Sequence, residues 1–128
     1  MPVRIVRLGT PRLPNEGLRI GTVRRPPRGV PKSAFASGDW YDVWFPTLAP
    51  SAEVMGLGRG AATDAQWQSF VRHYRAEMKR PEAEHALALL AAMSHGADFA
   101  VGCYCEDESR CHRSILRELL AARGATMA

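Results

Sequence analysis

The chain has 128 residues, of which 46% are hydrophobic and 23% charged, and its formal net charge is +4. That balance is typical of a globular domain and excludes a disordered or fibrous chain. No apolar run approaches the roughly 18 residues that cross a bilayer, and charges interrupt the N-terminal apolar stretch, unlike in a secretory signal. We therefore expect one cytosolic domain over residues 1–128 that has no membrane partner.

Positive charge is concentrated in the first quarter of the chain. Residues 1–32 hold eight basic residues and one acid, whereas residues 33–128 hold nine basic residues and twelve acids. A basic segment attracts anionic ligands or a nucleic-acid backbone. The bias is equally well explained by composition, since fifteen of the seventeen basic residues are Arg. No aromatic residue is interleaved with these arginines as in a base-stacking surface, so nucleic-acid binding is an alternative only.

The N-terminal third predicts two strands, over residues 3–8 and 18–23, because both segments mix β-branched and basic residues. The second strand must end before Pro26 and Pro27, since proline donates no hydrogen bond to a ladder. Residues 24–31, here named the arginine loop, carry Arg24, Arg25 and Arg28. A loop after a strand is where open α/β sheets bind ligands.

The remaining elements follow from periodicity and from Gly and Pro. An aromatic segment, residues 40–50, is expected to pack against the sheet or to offer Trp40 and Trp44 to a homodimer face. A short helix is expected to begin at residues 50–53 and to end at Gly56, Gly58 and Gly60. The later elements are predicted as a helix over 64–80 with Asp64 as N-cap, a helix over 82–95, a strand over 98–105 and a helix over 111–123. This order predicts an α/β fold with a mainly parallel sheet flanked by helices, with a hairpin of the first two strands as the alternative.

The densest group of reactive side chains lies where the last strand leads into the last helix. Cys111, His112 and Arg113 stand at the predicted helix start, where the free N–H groups and the helix dipole favour an anion or a thiolate. Cys111 is the candidate nucleophile and His112 its proton acceptor, and Arg113 would hold an anion.

Two other interpretations of the same residues stay open. In the first, Cys111 is a core thiol, because it stands four residues before Ile115 on one face of the predicted helix. His112 would then point about 100° away from it. The acids at 106–108 are also expected to raise the pKa of a nearby thiol. Alternatively, Cys103 and Cys105 project to one side of a strand, and Cys111 or His112 completes a zinc site with them. That spacing matches no usual zinc motif.

Four segments carry a resemblance that covers most of the chain, from about residue 17 to residue 124. They are RRPPRGVPK (24–32), YDVWFPTLAPS (41–51), FVRHYRAEM (70–78) and CEDESRCHRS (105–114). Together they resemble the YeaO-like proteins of the family called domain of unknown function 488. Many relatives have an Asp-Arg-x-Trp-Pro-Arg-Gly segment where this chain has residues 23–29; its Asp and Trp are missing here, and its Arg and Gly positions match.

The resemblance implies no established reaction, but it marks both the arginine loop and the Cys-His-Arg turn as family signatures. In a parallel sheet, loops that follow neighbouring strands meet at one edge. Our hypothesis is therefore a cleft in which Arg24, Arg28 and Arg113 hold an anionic small molecule beside Cys111 and His112.

Overall fold

A computed structural model describes residues 2–128, and its sheet has four parallel strands. In chain order the strands are β1 (Val3–Arg7), β2 (Leu18–Gly21), β3 (Val43–Trp44) and β4 (Phe99–Cys103), and their order across the sheet is β1-β4-β2-β3. The predicted α/β fold with a parallel sheet is confirmed. The hairpin alternative is wrong, because β4 lies between the first two strands and pairs with both.

Strand β4 is the centre of the sheet, and all five of its residues are buried. It lies beside β1 in the register Val3 to Phe99 and beside β2 in the register Leu18 to Phe99. At Gly102, the fourth residue of β4, the neighbouring strand β1 leaves no room for a side chain. A Cβ there would lie 2.7 Å from the Leu8 side chain and 2.8 Å from the backbone oxygen of Val6. The near-continuous apolar sequence of β4 is typical of a strand covered on both faces.

Four helices flank the sheet: α1 (Ala52–Arg59), α2 (Asp64–Glu77), α3 (Pro81–Met93) and α4 (His112–Ala122). One local prediction was wrong in part, since of the three glycines expected to end α1 only Gly60 does so. Gly56 and Gly58 lie inside α1 instead of ending it, and Gly58 lets the Phe70 ring approach, since a Cβ there would lie 2.8 Å from that ring. Pro81 begins α3, as proline does at first helical positions where no N–H is required.

The start of α2 also differs in detail from the prediction. Thr63, not Asp64, is the N-cap, and it forms a reciprocal capping box with Gln66. Within residues 2–128, no helix is both long enough and apolar enough to cross a membrane.

The apolar interior has two parts. The larger core packs the helices against the sheet. A smaller core lies at the carboxyl ends of the strands and contains Leu8, Val23, Tyr41, Cys103 and Cys111. The aromatic segment thus packs partly as expected: Tyr41 is buried in the smaller core, while Trp44 belongs to the edge strand β3 and is 47% exposed.

A buried ion pair joins the loop after β1 to strand β2. The Arg19 guanidinium is 1% exposed, and it donates to both carboxylate oxygens of Glu16. It also donates to the backbone carbonyls of Thr10, Pro11 and Asp39. Because a buried charge is tolerated only when it is paired and hydrogen-bonded, Arg19 fixes the path of residues 10–16 over the sheet.

We expect the Arg19→Met variant to lose about 3–5 kcal/mol of unfolding free energy, because Glu16 would be left as an unpaired buried charge. Urea denaturation measures the loss. The matched control is Arg75→Met, which breaks the exposed Arg75–Glu118 pair and should cost no more than about 1 kcal/mol. Equal losses in the two variants would contradict the structural role of Arg19.

The same pair predicts an acid-sensitive stability. Burial raises the pKa of Glu16, but the hydrogen bonds from Arg19 outweigh it, and the net pKa lies below that of a free glutamate. The stabilisation is therefore complete above the pKa of the unfolded chain, about 4.3, and is lost as the pH falls through the lower folded pKa. Glu16→Gln should unfold with less pH dependence than the parent protein between pH 5 and pH 2, in urea titrations at each of several pH values.

Candidate functional site

The carboxyl ends of β2 and β4 lie side by side and carry the two predicted signatures. The Thr22 N–H donates to the carbonyl of Gly102 at 3.0 Å, and the Tyr104 hydroxyl donates to the carbonyl of Arg25 at 2.8 Å. Residues of the arginine loop therefore contact residues of the β4 end directly. The hypothesis of a shared cleft requires both signatures at one edge of the sheet, and this geometry meets that requirement.

Cys111 and His112 contact each other, although neighbours on a helix would diverge. Cys111 is the N-cap of α4 with φ −133° and ψ 153°, so its backbone is extended and the 100° helical separation does not apply. Its Sγ lies 3.8 Å from Nδ1 of His112. Cys111 is thus not turned away from the imidazole, and at 2% exposure it is also part of the smaller apolar core, as the core-thiol interpretation predicts.

The orientation of the His112 ring is fixed from its other side. Nε2 lies 2.8 Å from the carbonyl oxygen of Thr22 and 3.2 Å from the Thr22 hydroxyl, whose own hydrogen points to the Gly102 carbonyl. A carbonyl only accepts hydrogen bonds, so Nε2 carries the proton and donates it. In the neutral imidazole Nδ1 is then the acceptor nitrogen, and it faces the thiol of Cys111. The ring is also 5.5 Å, centre to centre, from that of Tyr74.

The three cysteines form one group of thiols with unequal exposure. Cys103 and Cys111 are buried, Cys105 is exposed, and the sulfurs of Cys103 and Cys105 are 3.7 Å apart. Hydrogen bonds to the other two thiols, together with burial, raise the pKa of Cys103. The hydrogen bond from Cys103 lowers the pKa of Cys105, and the Arg113 charge adds to that effect. The hydrogen bond from Cys103 and that with His112 lower the pKa of Cys111.

The acidic residues before α4 are turned to other partners. Both carboxylate oxygens of Glu108 accept from Arg117, at 2.7 and 3.0 Å, and Asp107 accepts from the backbone and hydroxyl of Ser109. Glu106 lies 3.7 Å from the guanidinium of Arg7. The pKa of Cys111 lies below that of a free thiol, not above it as the acids led us to expect, because hydrogen bonds with Cys103 and His112 outweigh burial and the contact with Cys105.

Arg113 is a buried cation that lacks a carboxylate partner. It is 3% exposed, and one of its terminal nitrogens donates to the carbonyl of Cys105 at 2.6 Å. Its Nε has no hydrogen-bond partner, and no carboxylate of residues 2–128 lies within 4.0 Å of its guanidinium. A buried charge in this state is costly unless an anion compensates it.

The two predicted ligand residues of the arginine loop differ in their surroundings. The Arg24 guanidinium is half-buried and donates to the carbonyls of Ala49 and Pro50, so it ties the loop to the segment before α1. Arg28 is exposed. The loop turns at Gly29, whose φ of 71° favours glycine.

A metal-ligand arrangement exists on the same atoms. The sulfurs of Cys103 and Cys111 and a ring nitrogen of His112 all lie within 4.8 Å of one another, and all three residues are buried. Cys105 lies beside Cys103 on the exposed side of this group. Two thiolates and an imidazole are ligands that zinc prefers.

One participant escaped the sequence analysis. Thr22 orients His112, and spacing could not reveal this, because its partners Gly102 and His112 lie 80 and 90 residues away along the chain. Cys105 was predicted as a strand residue that projects to the same side as Cys103, whereas β4 ends at Cys103 and the bend at Tyr104 leaves Cys105 exposed.

Comparison with known proteins agrees with the resemblance seen in the sequence. The family model DUF488-N3a, described as the active DUF488-N3 subclade, matches residues 3–124. No curated protein and no solved structure matches the chain. Because the match covers nearly the whole length and includes the arginine loop and the Cys-His-Arg turn, the chain belongs to the DUF488 family.

Proposed function

We propose that the protein uses Cys111 as a nucleophile on an anionic small molecule held at the carboxyl edge of the sheet. The observation that carries this proposal is the buried Arg113, which lacks a carboxylate partner, has an unpartnered Nε and donates to the backbone carbonyl of Cys105. A guanidinium in that environment is stabilised by an anion, either a thiolate of the cluster or a charged group of a ligand.

The contacts of His112 support the assignment of roles. A nucleophilic thiol needs a base within reach and a third group that orients the base. Here the thiol is Cys111, the base is Nδ1 of His112, and the orienting group is the Thr22 carbonyl that accepts from Nε2. Arg28 and Arg113 would add positive charge for the ligand, while Arg24 would hold the arginine loop in position.

The proposed step transfers a group of the substrate to the sulfur of Cys111. Cys111 gives its proton to Nδ1 of His112, and the thiolate forms a bond to the electrophilic atom of the substrate. The bond to the leaving group breaks at that atom, and His112 returns the proton to the leaving group. Cys111 is 2% exposed and Cys105 is the exposed thiol of the group, so the proposal requires a substrate to approach from the side of Cys105.

We expect the pKa of Cys111 to lie below that of a free thiol, about 8.5, because Cys103 and His112 both stabilise the thiolate. The measurement is the ¹³Cβ shift of labelled cysteine followed from pH 5 to pH 10, which requires no access by a reagent. His112→Asn should move the Cys111 inflection upward, and His73→Asn, which changes an exposed histidine, should leave it unchanged.

A Cys111 inflection at or above pH 8.5 in the parent protein would remove the nucleophile assignment. An inflection below that value which His112→Asn does not move would remove the role of His112 alone.

Anion binding tests the role of Arg113 separately. Inorganic phosphate should shift the backbone amide resonances of residues 111–114, Arg113→Lys should weaken this binding, and Arg113→Gln should abolish it, since the charge is then lost. Near-ultraviolet circular dichroism shows whether each variant keeps its tertiary packing. Equal phosphate affinity in the parent and a folded Arg113→Gln variant would contradict the anion site.

A second candidate function is a zinc centre on the same residues, favoured by the ligand distances. Zn–S bonds of about 2.3 Å at tetrahedral angles set sulfurs about 3.8 Å apart. The sulfurs of Cys103 and Cys111 and a ring nitrogen of His112 lie within 4.8 Å of one another, and Cys111 Sγ lies 3.8 Å from His112 Nδ1. The donation from Nε2 to a backbone carbonyl is the usual outer contact of a metal-bound histidine.

Metal binding separates the two candidates. If the zinc centre is correct, the purified protein should hold about one zinc per chain, and cobalt should replace it with the visible and near-ultraviolet bands of thiolate ligation. Cys103→Ser should reduce the metal content sharply, whereas Ser109→Ala, in the loop between β4 and α4, should not. Protein expressed in zinc-supplemented medium that retains less than a tenth of an equivalent would exclude the centre and leave the free thiol as the functional form.

A further inference from the structure

A cavity separate from the thiol group lies between the arginine loop and the edge strand β3. Its volume is about 470 Å³, within the range of small-molecule sites. None of the three cysteines lines it. The residues that matter for its chemistry are Pro26, Lys32, Phe35, Tyr41, Asp42 and Trp44. We name this cavity the aromatic cleft.

The aromatic rings of the cleft are held in place by contacts outside it. The Tyr41 ring packs on the backbone of Gly21, where a Cβ would lie 2.5 Å from the ring, and edge-on against Phe35 at 5.1 Å between ring centres. The indole N–H of Trp44 donates to the carbonyl of Val23 at 2.8 Å. Trp44 is nevertheless 47% exposed, so part of its surface is free for a ligand. Fixed, partly exposed aromatic rings are the usual platform on which nucleobases stack.

One residue that lines the cleft carries a buried polar group that has no partner. Tyr41 is 3% exposed, and its hydroxyl makes no hydrogen bond in the structure. A buried hydroxyl in this state is destabilising, and it is satisfied when a ligand or water supplies a donor or acceptor. A nucleobase carries both donors and acceptors around its edge.

The charges around the cleft favour an anion. Lys32 lines it, and Arg25 and Arg28 are exposed on the loop that forms one wall. The acid at the cleft, Asp42, is neutralised by Arg12 at 2.7 Å and accepts from the backbone N–H of Arg19. The balance of charge at this wall is therefore positive.

We infer that the aromatic cleft binds a nucleoside phosphate, with the base on the exposed face of Trp44 and the phosphate at Lys32 and the arginine loop. The exposed Trp44 ring, the unpartnered hydroxyl of the lining residue Tyr41 and the positive charge each point to one part of such a ligand. None of the cysteines lines the cleft, so the inference does not depend on the chemistry proposed for Cys111. It concerns a mononucleotide, because the cavity volume of about 470 Å³ suits a ligand of that size.

Calorimetric titration with adenosine 5′-monophosphate tests this inference on the full chain. We expect the monophosphate to bind at least tenfold more tightly than either adenosine or inorganic phosphate, since each of these lacks one half of the contacts. Trp44→Ala should weaken binding about tenfold or more. Lys32→Gln should weaken the monophosphate but not adenosine, and Tyr41→Phe should weaken both.

A matched control separates this site from the others. Leu57→Ala, which changes an exposed side chain on α1, should leave the affinity unchanged. No binding at millimolar nucleotide, or an affinity that a folded Trp44→Ala variant retains, would overturn the inference. Binding of a single-stranded oligonucleotide without binding of the monophosphate would also overturn it.

Discussion

The position of β4 between β1 and β2 is the constraint on which the rest of the structure depends. Its pairing on both sides forces the chain to cross the sheet, and it puts the ends of β4 and β2 side by side although some 80 residues separate them. The close approach at Gly102 is part of this packing, because the Gly102 carbonyl also accepts both the N–H and the hydroxyl of Thr22. Thr22 in turn orients His112, so the centre of the sheet determines the geometry of the thiol site.

Two buried arginines show how the same residue type serves different ends. Arg19 satisfies its charge with Glu16 and its remaining N–H groups with backbone carbonyls, so it stabilises the loop and leaves nothing for a ligand. Arg113 has one carbonyl partner and an unpartnered Nε. Burial of an uncompensated charge lowers stability, and proteins retain such groups mainly at functional sites. This contrast, more than the presence of cysteines, distinguishes the candidate site from the structural core.

Local sequence signals predicted the elements well where periodicity was strong and failed where packing decided. The apolar spacing of α2 and α4 and the apolar run of β4 are properties of single segments, and the structure has all three elements. The glycines of α1 were misread because their role is to admit the Phe70 ring, a contact from another helix. Cys111 was assigned a helical conformation, whereas it is an extended N-cap, and one residue at a helix boundary changes which side chains touch.

The amino-acid sequence was sufficient to predict the α/β class and the helices and strands whose apolar periodicity is strong. It also placed Cys111, His112 and Arg113 in one turn. These features depend only on residues close together in the chain, so they require no tertiary information. Only the tertiary structure decided that Thr22 orients His112, that the acidic loop is neutralised by other arginines, and that Phe35, Tyr41 and Trp44 border the arginine loop. The physical reason is that these contacts arise from strand order, and the order β1-β4-β2-β3 is set by packing between segments far apart in the chain.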